Sequence, residues 1–230
     1  MIIKGGGCMK KEKISLCFNI IITILTVVAT FIMFTGIKFM HGNEIVLETT
    51  KLGMFRFFTV DSNIFMGIVA LIFSIYEIKL IKGKINEIPT ILYKIKLAST
   101  TAVALTFLVV FAYLGPIAHG GIKVMLMNSN LFFHLIIPVL SIITFIFFER
   151  CSKLKSKDVF VGLIPTFFYS VFYLTNIIIH TKNGKVSPVY DWYWFVQKGV
   201  IQALIICPLI YLITYIISYI LYKINKKKVV

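Results

Sequence analysis

The sequence predicts an all-α polytopic membrane protein, a bundle of six transmembrane helices. Two observations carry this. Of 230 residues, 59% are hydrophobic, and apolar runs recur along the whole length instead of alternating with polar faces. Six of these runs reach about the 20 residues a helix needs to cross the hydrocarbon layer, leaving too little chain between them for a separate soluble domain.

The first run, Ile14–Met40, is too long for a signal-peptide core and has no small-residue cleavage site, so it is expected to remain as an anchor. Before it, Lys4-Gly5-Gly6-Gly7 followed by Met9-Lys10-Lys11 reads as a translated ribosome-binding sequence, which puts the expected start at Met9. The second run, Phe57–Leu80, repeats Thr59, Asn63, Met66, Ala70, Ser74 and Glu77 at three- or four-residue spacing, a polar and small stripe on one helical face. The third is Ile95–Ala118. The fourth, Leu131–Phe148, aligns Asn130, His134, Ser141 and Thr144 in the same way. Its Pro138 lacks the N–H that would bond the His134 carbonyl, predicting a bend and freed backbone beside that histidine. The fifth, Val159–His180, carries Thr166, Tyr169, Tyr173, Asn176 and His180, and the sixth is Gly199–Leu221. Residues 1–13 are then an N-terminal segment, 14–222 the transmembrane domain and 223–230 a basic tail.

A formal charge of +15 raises the question of nucleic acid. The basic residues lie between the spans, however, and 17 of the 24 fall on the side that holds both termini. By the positive-inside rule that side is cytoplasmic; the charge encodes topology and contact with anionic lipid, not nucleic-acid binding. Cys8 and Cys151 fall on the reducing side and Cys17 and Cys207 within spans, so no disulfide is expected. Abundant Ile, Lys, Phe and Asn fits an AT-rich bacterial genome and hence a bacterial cell membrane.

Polar side chains inside a span must face the bundle or water. Rising ~1.5 Å per residue from the outer ends of their helices, Thr59, Asn63, His134, Asn176 and His180 share the outer leaflet. A hydroxyl beside a histidine is a nucleophile and base pair in outline, although threonines in membrane helices also bond their own backbone, and a histidine bonded across helices also serves packing. Asp61, two residues from Thr59, points to another face as an interfacial anchor, towards Arg56 or the headgroups. His41, His119, His180, Asp61 and Asp191 are possible metal ligands by type, but they lack metal-motif spacing, and no metal or cofactor is expected. Asp191-Trp192-Tyr193-Trp194 reads as interfacial belt or as a lid over the outer pocket. The sequence has no GxSxG elbow or zincin motif, and no P-loop.

Two segments, Phe57-Phe58-Thr59-Val60-Asp61-Ser62-Asn63 and Phe133-His134-Leu135-Ile136-Ile137-Pro138, resemble small bacterial six-span membrane proteins. More distantly they resemble the androgen-induced and androgen-dependent family of intramembrane threonine hydrolases, which cleave fatty acid esters of hydroxy fatty acids. The resemblance implies Thr59 as nucleophile and His134 as base, acting on membrane lipid esters. Asn63, Asn176 or the free N–H groups opening the second span would be donors to the oxyanion, Asn130 would orient His134, and His180 would border the substrate. The competing expectations are a small-molecule-binding subunit like the substrate components of vitamin transporters, and a non-enzymatic scaffold whose polar stripes serve only to join helices.

Overall fold

A computed structural model of the chain describes residues 6–40, 49–118, 120–196 and 199–226. Six helices in it are long and apolar enough to cross a membrane. We number them α1 (Gly6–Thr35), α2 (Phe58–Ile81), α3 (Thr90–Ile117), α4 (Ser129–Phe147), α5 (Ser156–His180) and α6 (Val200–Lys226). The chain is a six-helix membrane bundle, with the first turns of α1 and the last turns of α6 at one end. His41 and His119 lie outside the described residues, as do the side chains of Cys8 and Met9.

The helices start and stop near the predicted bounds, and the departures have local causes. α1 extends back to Gly6 instead of beginning at 14, because Lys10, Lys11 and Glu12 are good helix formers that continue the last apolar turn into water. It stops at Thr35 and not at Met40, where Gly36 adopts φ +74° and donates its N–H to the Ile32 carbonyl at 2.9 Å. That left-handed closing residue is the usual place for glycine. α5 begins with a 3-10 stretch, Ser156–Leu163, and becomes α-helical at Ile164, with Pro165 in its first turn. α6 continues to Lys226, so much of the predicted basic tail is helical.

α3 is the hub. Every residue from Lys96 to Thr106 is buried, because its Ala, Ser and Thr side chains let neighbours approach from all sides. α1 crosses α2 so closely at Gly67 that a Cβ there would stand 2.7 Å from the Thr26 side chain. The outward faces of α5 and α6 expose Phe167, Phe168, Ile178, Ile201 and Leu204, as lipid-facing helices should.

At the end where α1 starts and α6 finishes, a buried ionic cluster ties four segments together. Lys96 and Glu149, both fully buried, lie 3.1 Å apart. Lys96 also donates to the Asn19 side-chain oxygen, and Asn19 Nδ2 donates to Glu149 Oε1 at 2.7 Å and Glu77 Oε2 at 3.2 Å. Lys96 therefore departs from the surface role that counting basic residues gives it.

α4 contains a π-helical turn, Phe132–Ile136, directly before Pro138. The wider register moves the freed carbonyl from His134, four residues before the proline, to Phe133, five before it. Asn63 Nδ2 fills the missing donor's place, 3.0 Å from the Phe133 oxygen. Proline and π-turn together thus open α4 where His134 sits, with α2 satisfying the released backbone.

Candidate functional site

The site lies at the opposite end of the bundle from the Lys96 cluster, where α2 begins. Phe57 precedes the helix without a side-chain cap. The N–H of Phe58 is instead taken by Tyr193 Oη at 3.0 Å, pinning the loop before α6 over the first turn of α2. The same loop is held from within by Asp191, whose carboxylate accepts the N–H groups of Phe195 at 2.9 Å and Val196 at 3.1 Å and the Tyr173 hydroxyl. Trp192 and Tyr193 are buried, and Tyr193 lines the space beneath the loop.

Thr59 stands where two spaces meet. One is a cleft of about 10 Å³, room for about a single water, bounded by Thr59, Asn130, His134 and Tyr193 among others. The other is an apolar cavity of about 90 Å³ between α3, α5 and α6, walled by Leu105, Val109, Tyr173, Ile210 and Tyr211, with Thr59 and Tyr193 again on its boundary. Thr23, Thr26, Thr106, Thr144 and Thr214 bond the carbonyl four residues back, as membrane threonines do. The Thr59 hydroxyl makes no hydrogen bond among the described residues. Thr30, Thr100, Thr101 and Thr166 also lack a partner, but none of them borders the cleft.

His134 is buried, and its Nδ1 lies 2.6 Å from the Met125 carbonyl. A carbonyl only accepts, so Nδ1 carries the proton and Nε2, on the other edge of the ring, keeps its lone pair. This is the tautomer of a base. Met125 closes the single helical turn Ile122–Met125, which brings a backbone oxygen into the orienting position expected of Asn130. Asn130 itself borders the cleft with a buried Nδ2 that has no partner, leaving it free to donate to a bound oxygen.

The other expected donors are placed differently. Both N–H groups of Asn63 are committed, to the Thr59 carbonyl at 2.7 Å and the Phe133 carbonyl at 3.0 Å, so this amide braces the two helices and has no hydrogen to give a substrate. Asn176 donates to the Tyr190 carbonyl at 2.7 Å. His180 bonds the Asn176 carbonyl and stacks on the Tyr190 ring at 3.6 Å between centroids. Neither borders the cleft or the cavity; they secure the loop.

Among the described residues no group of three His, Cys, Asp or Glu side chains could hold a metal. Of the five ligands considered, His180 and Asp191 are used as above, Asp61 faces a separate groove, and His41 and His119 lie outside the described residues.

Sequence reasoning missed two contributors. Met125 acts through its backbone, which no side-chain pattern encodes. Tyr193 was legible as part of an interfacial belt or a lid but not as a hydroxyl at the site; burial pushes its phenol up to about 12, so it keeps its proton, and the residue borders both spaces. No family model, curated protein or solved structure matches the chain.

Proposed function

We propose that the chain is an intramembrane hydrolase of lipid esters, with Thr59 as nucleophile and His134 as base. The observation that carries this reading is the position of the Thr59 hydroxyl. It is free of the usual backbone bond, and Thr59 borders both an apolar cavity suited to an acyl chain and a small cleft that holds a histidine in its basic tautomer. The likeness of the Thr59 and His134 segments to the threonine hydrolases supports the same assignment.

Thr59 Oγ1 would attack the ester carbonyl carbon while its proton passes to His134 Nε2. The Met125 carbonyl opposes the imidazolium that forms. The negative oxygen of the tetrahedral intermediate would take hydrogen bonds from Asn130 Nδ2 and the Tyr193 hydroxyl. Collapse breaks the bond to the alcohol, which leaves with the proton from His134. Water, deprotonated by the same nitrogen, then attacks the acyl-threonine and releases the fatty acid.

The lysine distribution supports cytoplasmic termini, and with them a site in the outer leaflet; the abundance of Ile, Lys, Phe and Asn supports a bacterial cell membrane. A long-chain fluorophosphonate should label the purified protein at Thr59, and not after His134→Ala. Labelling elsewhere, or labelling of Thr59 undiminished in His134→Ala, would count against the pair.

A further inference from the structure

Asp61 is two residues from Thr59 and faces a different space, a groove of about 430 Å³ between the first turns of α2 and the middle of α5. It is lined by the rings of Phe58, Phe65, Phe168, Tyr169 and Phe172, together with Ser62, Ile164 and Pro165. Among the described residues no hydrogen bond and no ion pair reaches the carboxylate. The nearest cation in sequence, Arg56, lies over the rings of Phe57 at 4.8 Å and Trp192 at 5.8 Å instead, so the pairing expected of the two does not form. A negative charge in the first turn of a helix gains something from the backbone dipole, but that is no reason for it to sit among five aromatic rings.

A carboxylate ringed by aromatic faces is the chemistry that recognises an ammonium ion, through charge from one side and ring quadrupoles from the others. The groove lies on the flank of the bundle, bordered by Phe168, which is 68% exposed, and Phe172, which is 50% exposed. Phe58 and Tyr169, whose centroids are 5.1 Å apart, separate it from the cavity beside Thr59. We propose that this groove is a binding site for the ammonium headgroup of a membrane lipid, with the cation on Asp61 and the rings around it. The proposal does not depend on Thr59 being a nucleophile.

The test uses full-length protein in nanodiscs of equal phosphatidylethanolamine and phosphatidylglycerol, with the lipids retained on the ejected protein counted by native mass spectrometry. Wild type should hold phosphatidylethanolamine over phosphatidylglycerol by about tenfold. Asp61→Glu should keep the preference and Asp61→Asn should abolish it. Phe168→Leu, a change at an exposed ring, should weaken it several-fold. Replacing the amine lipid by its N-acylated form, which carries no ammonium, should remove the preference in wild type, an arm that needs no variant to fold. Equal retention of the two lipids by wild type, or an unchanged preference in Asp61→Asn, would overturn the assignment.

Discussion

Asn63 donates across 3.0 Å to the carbonyl of Phe133, the oxygen that Pro138 leaves without a donor in the π-register of α4. One contact thus joins the two helices that carry Thr59 and His134, and keeps α4 open beside the histidine.

Asn63→Leu should strand the Phe133 oxygen and cost about 1–3 kcal/mol, lowering the thermal midpoint in detergent. Pro138→Ala restores a donor of the helix's own. The Asn63→Leu loss should be clearly smaller in that background, a coupling that independent sites would not show. Additive changes across the four proteins would mean that the contact does not stand in for the missing N–H.

Lys96 should be far more sensitive to change than the basic residues of the connections. With Glu149 left buried beside it, Lys96→Ala should destabilise by about 3–5 kcal/mol. Replacing both by apolar residues should recover most of the loss, whereas Lys153→Ala, at an exposed pair, should shift the unfolding temperature little.

Six spans were legible because apolar length is a strong signal, and the polar stripes of α2 and α4 correctly marked Thr59, Asn130 and His134 as inward-facing. The hub role of α3 was not, since its Ala98, Ser99, Thr100, Thr101 and Ala102 read as mild hydropathy and not as close packing. Lys96 was indistinguishable from a topology signal. Depth along a helix placed Asn176 and His180 level with the site but not in azimuth, and they turned towards Tyr190. Pro138 foretold the opening of α4 but not the π-turn, which moved the freed carbonyl by one residue.

Topology can be read with single cysteines in a background lacking the native thiols. Cysteines at Lys123 and Lys185, both exposed, should react with an impermeant reagent on intact cells, and one at Lys153 only after the membrane is opened. Native Cys151 would be a poor reporter, because it is 7% exposed and burial pushes its thiol up. Labelling at Lys153 from outside would invert the bundle.

Tyr193→Phe removes the hydroxyl at the cleft while keeping the ring. Turnover of a long-chain ester should fall about 10²-fold with KM little changed, the pattern of a donor used in the transition state, and Asn130→Ala should do the same. As burial holds the Tyr193 phenol at about 12, it stays protonated below that pH and should contribute no ionisation to the rate between pH 6 and about 10. A loss confined to KM would make both residues binding elements only.

The central claim is that Thr59 and His134 act as one unit, and ester hydrolysis by wild type, Thr59→Ala, His134→Ala and the double variant tests it most directly. With each protein shown to be folded by its thermal transition, either single change should abolish nearly all turnover. The double change should add little, because members of one catalytic unit are strongly non-additive, and Thr59→Ser should keep measurable activity. Wild-type turnover by well-folded Thr59→Ala protein would contradict the account.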